Sequence, residues 1–287
     1  GWAEARALSP QRRTRLRLWL DVGESRLHTV PWELLQEGSL TLAADAKTPF
    51  SRYLPVKKDW GAAVIERPLR ALALIANPGD LATGYNLASL DADAERDLLE
   101  AAFGILGPDE VALDFLEPPI TLARLEAKLQ EKHYHILHYV GHGAFSTSKD
   151  QAALYLQDDA GDVQVTSDDA LAGMLERQYA QPLLIFLAAC QSGKTSERET
   201  FSGLGPKLVK IGIPAVVAMQ DNVAVKTANA FSAAFYPQLL RHGLVDRAMN
   251  EARSALLTGE YADVAAPVLW MRLMDGRLWK EQEVKSL

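Results

Sequence analysis

Residues 133–145 read HYHILHYVGHGAF, a short apolar run that closes in Gly-His-Gly. The run His135–Val140 is continuous rather than alternating, which is typical of a strand buried on both faces of a parallel sheet. Glycines on either side of His142 let the backbone turn sharply, so the strand is predicted to end there with the imidazole ring projecting from it. This stretch therefore indicates an α/β fold and a first candidate functional residue at a strand end.

Four further apolar runs of the same kind lie before and after this one: Ala71–Ala76, Val111–Leu116, Leu183–Ala188 and Pro214–Met219. Segments with helical patterns lie between and after them: Ala92–Phe103, Leu122–Lys132, Asp168–Arg177, Phe201–Ile211 and Lys226–Arg241. This alternation predicts a mostly parallel, doubly wound sheet with helices on both faces.

Two regions depart from the alternation. Leu154–Gln157 and Val163–Val165, joined by the turn DDAGD, predict a β-hairpin inserted after the third strand. Residues 1–65 are interpreted as an extension of the main sheet or a small subdomain packed on the core, and residues 66–287 as the main α/β domain. The tryptophans in apolar contexts, Trp19, Trp32 and Trp270, are expected in the core.

Composition excludes several classes of protein. The 287 residues carry a formal charge of −7, which disfavours a nucleic-acid-binding protein because such proteins present a basic face. The single cysteine excludes an internal disulfide and a multi-cysteine zinc site, and it favours a reducing, cytoplasmic setting. No apolar run is long enough for a membrane span, and the start has no signal-peptide layout. The initial glycine suggests a fragment or a processed end.

The stretch LLIFLAACQSGKTS, residues 183–196, allows two interpretations. Its end resembles a phosphate-binding P-loop, but the first glycine of that motif would have to stand at Ala188, where alanine closes the turn that wraps the phosphate. A nucleotide-binding switch is therefore disfavoured. The second interpretation places Cys190, just past a buried strand, as a nucleophile.

The positions of His142 and Cys190 favour thiol chemistry. Open parallel sheets bind ligands outside the carboxyl ends of their strands, so the two side chains open onto one crevice if their strands are neighbours. An imidazole can take the proton of a thiol that attacks a carbonyl, and can then protonate the leaving amine. The backbone N–H groups of Gly143 and Cys190 would stabilise the oxyanion.

Two strand-closing motifs, GHG at residues 141–143 and AACQSG at residues 188–193, resemble those of the caspase-like cysteine proteases of clan CD. The chain more narrowly resembles the CHAT domain, a bacterial caspase-like peptidase module related to separase. The segments that match its pattern in order are PWELL, HYVGHG, LAACQSG, GIPAVVAMQ and AFYPQLLRHG.

This resemblance implies a caspase–haemoglobinase fold with a dyad of His142 and Cys190 and no need for a metal or an organic cofactor. It also implies a protein substrate and an upstream sensor module, repeat module or regulatory partner. The expected function is that of a regulated cysteine endopeptidase in bacterial signalling or defence. The alternative from another class is a catalytically silent scaffold of the same fold.

Four further polar residues bear on metal binding and on substrate specificity. In a strand, His133 and His135 point to one face and His138 to the other, so they cannot converge on a metal, and His138 is expected to brace the strand from the core. Asp221 follows the last apolar run and is the candidate carboxylate that would select a basic residue at P1 of the substrate. Its alternative role is that of a helix N-cap.

Overall fold

The computed structural model describes residues 14–21, 25–55, 63–64, 66–146, 149, 151–189, 201, 203–220 and 223–280. The strands are β1 Leu16–Trp19, β2 Gln36–Glu37, β3 Leu40–Thr41, β4 Phe50–Tyr53, β5 Leu69–Ile75, β6 Val111–Leu116, β7 Ile136–Gly141, β8 Gly143–Ser146, β9 Gln151–Gln157, β10 Val163–Ser167, β11 Leu184–Ala189, β12 Ala215–Met219 and β13 Pro267–Met271. The α-helices are α1 Ser25–His28, α2 Leu81–Gly84, α3 Ala92–Phe103, α4 Leu122–Glu131, α5 Asp168–Glu176, α6 Leu204–Ile211, α7 Val225–His242 and α8 Val245–Thr258; 3₁₀ helices span Trp32–Leu34 and Leu42–Ala44.

The main sheet has eight strands in the order β1-β4-β13-β12-β11-β7-β5-β6. The five strands predicted from the apolar runs, from β12 across to β6, are parallel neighbours. Strand β13 runs antiparallel to β12, and β4 and β1 continue from it. The carboxyl ends of the five parallel strands therefore meet at one edge of the sheet.

Helices cover both faces of this sheet. Helices α3, α7 and α8 pack on one face, where Leu99, Phe235 and Met249 belong to one buried apolar cluster. Helices α4, α5 and α6 pack on the other face, where Leu125 and Leu208 belong to the second cluster. None of the helices described is both long enough and apolar enough to span a membrane.

The connections diverge between β5 and β7. Strand β5 leads through α3 to β6 on one face, whereas β7 leads through the hairpin and α5 to β11 on the other face. Ligands in open α/β sheets bind at such a reversal, outside the carboxyl ends of the strands. The carboxyl ends of β5 and β7 are therefore where this rule expects a ligand to bind.

The predicted insertion is a three-stranded antiparallel sheet in the order β10-β9-β8. Strands β9 and β10 form the predicted hairpin, and β8 adds an unpredicted third strand. The hairpin turn is tied to the end of β5, because Gly79 N–H donates to the Gly161 carbonyl at 3.0 Å and Val163 N–H donates to Asp80 at 2.8 Å.

The sequence patterns missed parts of the fold. Helix α8 and the antiparallel strand β13 were not predicted, although both are buried in the core. The prediction that Trp19 lies in the core is wrong, because Trp19 is 65% exposed. It belongs to β1, which is an edge strand of the main sheet, and its ring packs against Tyr53 of β4. Strands β1 and β4 lie in the main sheet, while the division of the chain at residue 65 stays a prediction.

Candidate active site

His142 lies between two strands, one residue after β7 and one before β8, and is fully buried. Its Nε2 is 2.8 Å from the carbonyl oxygen of Ala88, in the connection between α2 and α3. Because a carbonyl can only accept a hydrogen bond, we assign the proton of the neutral ring to Nε2. The lone pair of His142 is then on Nδ1.

Nδ1 of His142 is buried and has no hydrogen-bond partner among the residues that the structure describes. Burial lowers the pKa of His142, and the hydrogen bond to Ala88 raises it against that effect. The ring is therefore neutral at physiological pH. It presents a basic nitrogen at the carboxyl edge of the sheet, which is the property that a general base requires.

The backbone of His142 is held by its neighbours. The Tyr139 hydroxyl donates to the His142 carbonyl at 2.7 Å, and Tyr155 N–H donates to the same oxygen at 3.0 Å. The Tyr139 ring occupies the space that a side chain at residue 141 would need, so a Cβ there would overlap the phenol. Gly141 is thus required for this packing, in addition to permitting the turn.

Strands β7 and β11 are parallel neighbours, and the last row of their register pairs Gly141 with Ala189. The next residue on β7 is His142. The next residue along the chain after β11 is Cys190, which lies outside the described residues. The alternative P-loop glycine position, Ala188, lies inside β11, paired with Val140.

The other two sequence-predicted positions have different outcomes. Gly143 is buried at the start of β8, paired with Leu154 of β9, and directly follows His142. Its role as an oxyanion donor stays a prediction. Asp221 lies outside the described residues, one position after Gln220.

A buried polar network ties the N-terminal region to the carboxyl end of β12. Arg52 of β4 forms a 2.6 Å ion pair with Glu33, and both side chains are fully buried. Arg52 also donates to the Gln220 side chain at 2.8 Å, and Gln220 in turn donates to the His28 carbonyl at 2.6 Å. The PWELL segment, which contains Glu33, is therefore fixed beside Gln220, the residue before Asp221 in the sequence.

The remaining histidines of the strand behave as structural groups. The rings of His133 and His135 pack 4.7 Å apart on one side, whereas His138 is bonded to the Tyr236 hydroxyl in the core. No group of histidine, cysteine and acidic side chains in the described part of the chain is arranged to hold a metal ion.

Two groups that act on His142 were missed by sequence reasoning. The Ala88 carbonyl is a backbone atom in an irregular connection, so no residue pattern could indicate it. Tyr139 falls within an apolar strand pattern, and its spacing of two residues from Gly141 is the one signal that its ring occupies the space beside that glycine.

Comparisons with known proteins place this geometry in context. A family model for the CHAT domain matches residues 2–276. A search of curated protein sequences found no match.

Two solved structures similar to the chain are separase–securin complexes from Saccharomyces cerevisiae. One has a TM-score of 0.50 and 16% identity, the other a TM-score of 0.48 and 17% identity. In each case the match covers 89% of this chain and 15% of the other, so the chain spans only a small part of that protein. A protein of Geobacter sulfurreducens matches with a TM-score of 0.41 and 14% identity, over 74% of this chain and 100% of its own.

Proposed function

Because the chain belongs to the CHAT domain family and has the caspase-like α/β fold, we propose that it is a cysteine endopeptidase with His142 as general base and Cys190 as nucleophile. The observation that carries the proposal is the buried Nδ1 of His142, whose lone pair receives no hydrogen bond from any residue that the structure describes. It lies one residue past the last paired row of β7 and β11. Cys190 is the next residue in the sequence after Ala189 of β11, and adjacent strands are about 4.8 Å apart.

The chemistry follows from these positions. Nδ1 of His142 takes the thiol proton, and Sγ of Cys190 attacks the scissile carbonyl carbon, so that a carbon–sulfur bond forms and the carbonyl π pair moves to oxygen. The backbone N–H groups of Gly143 and Cys190 would stabilise that oxyanion. The tetrahedral intermediate then collapses, the carbon–nitrogen bond breaks and the imidazolium gives its proton to the leaving amine. Water hydrolyses the thioester by the same route, with His142 as base.

The Ala88 carbonyl contributes to this cycle without touching substrate. It accepts a hydrogen bond from Nε2–H, with 2.8 Å between nitrogen and oxygen, which keeps the lone pair on Nδ1 in the neutral state and stabilises the imidazolium once Nδ1 is protonated. This one hydrogen bond therefore orients the His142 ring and stabilises its positive charge.

The test is covalent labelling with a peptidyl acyloxymethyl ketone, followed by mass analysis of the modified peptide. Wild-type protein should be labelled at Cys190, and His142→Ala should slow labelling at least about a hundredfold, because the thiol then lacks its base. His133→Ala is the matched control, since that ring bonds to the Gln181 carbonyl before the start of β7, at the opposite end of the strand from His142. Labelling that is equally fast in His142→Ala would refute the dyad.

The catalytically silent scaffold is the second candidate, and the same experiment separates the two. A scaffold would be labelled slowly at Cys190, with no dependence on residue 142. The Nδ1 of His142 favours the enzyme: a buried nitrogen without a hydrogen-bond partner in the described part of the chain costs stability, and a catalytic role would explain why it is kept.

The substrate is proposed to be a protein, cut under the control of a sensor module, repeat module or regulatory partner in a bacterial signalling or defence pathway. One structure with a similar fold is a complex of separase with securin, which favours regulation by a bound protein partner. A cytoplasmic location is proposed from the single cysteine, whose thiol must stay reduced for this chemistry.

A further inference from the structure

Asn77 lies just past the carboxyl end of β5, the strand that neighbours β7 on the side away from β11. Strands β5 and β7 are parallel neighbours, with Ile75 paired to Val140, and Ala76 N–H extends this pairing with a 2.8 Å bond to the Val140 carbonyl. Asn77 is the first residue past that point and is partly buried. Its backbone is thus held rigidly by the sheet at the edge where His142 emerges.

The Asn77 side chain makes a two-point clamp on the chain between α2 and α3. Its Nδ2 donates to the Leu90 carbonyl at 3.0 Å, and its Oδ1 accepts from Leu90 N–H at 2.9 Å. The donor and the acceptor of the Asn77 amide therefore both bond to the backbone of one residue, Leu90. Two opposed bonds fix both the position and the orientation of the peptide groups on either side of Leu90.

This clamp is close in the chain to the carbonyl that binds His142. The Ala88 oxygen belongs to the peptide group before Ser89, and the Leu90 N–H belongs to the peptide group after it. Only the two backbone dihedrals of Ser89 separate these groups. Residues 86–90 form no helix or strand, so the clamp supplies an anchor that regular structure does not.

We propose that Asn77 is a positioning residue of the active site: through Leu90 it holds the Ala88 carbonyl against Nε2 of His142 and so keeps the basic lone pair on Nδ1. The inference rests on the proposed role of His142. It adds a third chain segment to the site, in which the end of β5 controls the tautomer of a ring at the end of β7. Asn77 itself touches neither the ring nor the substrate.

A purely structural role for Asn77 predicts a different result from a positioning role. If the clamp only closed a surface connection, its loss would lower the free energy of unfolding and leave the ring of His142 unchanged. If it positions the Ala88 carbonyl, its loss weakens the Nε2 bond. Since that bond raises the pKa of His142 against the effect of burial, the pKa should then fall further.

The first measurement is the ¹⁵N NMR tautomer state of His142 in the Cys190→Ala chain, which needs no proteolysis. The chain has six histidines, so the signals are assigned by their loss in His142→Gln. We expect a single tautomer protonated at Nε2, and in Asn77→Ala a shift towards a mixture of both tautomers with a lower pKa. Asn77→Asp keeps the acceptor for Leu90 N–H and loses the donor, so it should give an intermediate spectrum and stands in for the alanine variant if that one does not fold.

The second measurement is kinetic, in the chain with Cys190 intact. Asn77→Ala should lower kcat about tenfold to a hundredfold with KM within about twofold, because misorientation of a catalytic group acts on the chemical step. The matched control is Asn229→Ala, which removes an amide bonded at 3.3 Å to Glu95 on α3, the helix that follows Leu90. It should leave kcat within about twofold and the tautomer of His142 unchanged.

The two proposals fail in distinguishable ways. An unchanged His142 tautomer and pKa in both Asn77 variants would overturn the positioning role, even if proteolysis is confirmed. A shifted tautomer in a protein that neither cleaves peptides nor reacts with the ketone probe would support the positioning role and overturn the endopeptidase.

Discussion

The Tyr139 hydroxyl donates a 2.7 Å hydrogen bond to the carbonyl of His142, which lies three residues further along the chain, just past the end of β7. A side chain two positions along would ordinarily block this approach on the same face of a strand. Gly141 leaves the path open, and the phenol lies where its side chain would be. The Tyr139 ring and Gly141 together therefore fix the backbone of His142 at the end of β7.

Gly141→Ala should disrupt this arrangement. The added methyl group overlaps the Tyr139 ring, which is buried and bonded through its hydroxyl to the His142 carbonyl. We expect a loss of about 1–3 kcal/mol in the free energy of unfolding, as for other overpacked core sites, and a loss of labelling at Cys190. Urea unfolding and the ketone probe measure the two effects.

The control for this substitution is Gly173→Ala in α5, where the new methyl group meets only the end of the Arg177 side chain at 3.5 Å. It should be neutral or slightly stabilising, because alanine favours a helix interior. Tyr139→Leu combined with Gly141→Ala should recover part of the lost stability. If the double variant is no better than Gly141→Ala alone, the clash with Tyr139 is not the cause.

His138 should make the fold sensitive to acid. Burial lowers the pKa of His138 from 6.5 to about 3, and its ring stacks on Phe186 beside the Tyr236 hydroxyl. Between these two pH values the unfolded chain binds the proton and the folded chain does not. The free energy of unfolding is therefore unaffected by the protonation of this histidine above pH 6.5, and it decreases as the pH falls from 6.5 towards 3.

Replacing both partners tests this assignment. His138→Phe with Tyr236→Phe removes the histidine without leaving a hydroxyl unpaired, so stability at pH 7 should change by less than about 1.5 kcal/mol. The slope of the unfolding free energy between pH 5.5 and 4.5 should fall by about 1.4 kcal/mol per pH unit, the share of one group. An unchanged slope, measured by urea unfolding, would show that His138 is not a source of the acid sensitivity.

The buried ion pair of Arg52 and Glu33 should be costly to break from one side. Glu33→Leu leaves the guanidinium charge without its carboxylate in a site that is fully buried, and this should cost about 3–5 kcal/mol. The more exposed pair of Arg67 and Glu110 is the control, and Glu110→Gln should cost less than about 1 kcal/mol. Equal costs in thermal and urea unfolding would contradict the special role given to the buried pair.

Asp221 is proposed to select arginine or lysine at P1, because a basic side chain in a pocket needs a carboxylate partner. It directly follows Gln220, which is fixed by Arg52 at the carboxyl end of β12. A positional-scanning peptide library should show a basic preference that falls at least about tenfold in Asp221→Ala, with Asp221→Asn as the variant of equal size. An acidic or apolar preference in the wild-type protein, or a basic preference that survives both substitutions, rules out the assignment.

Local patterns in the sequence were sufficient to predict the five parallel strands and to predict that β7 ends beside His142. Strand β7 was predicted as His135–Val140 and spans Ile136–Gly141, and helix α3 was predicted with the same bounds as it has. Continuous apolar runs, flanking glycines and helical spacing are properties of neighbouring residues, so they can be interpreted without knowledge of the fold. The caspase-like architecture and the position of His142 at a strand end follow from these patterns and from the family resemblance.

Only the tertiary structure decided which strands are neighbours and what surrounds His142. The order of the sheet brings β5 and β7 together, so that the Ala88 carbonyl, 54 residues away in the chain, meets Nε2. It also inserts β13 antiparallel between β12 and β4, and leaves Trp19 on an exposed edge. Pairing between distant strands depends on the packing of the whole core, and a backbone carbonyl looks the same at every residue. For these reasons the amino-acid sequence determined where the histidine stands, whereas the folded chain determined which of its two nitrogens is bonded to the Ala88 carbonyl.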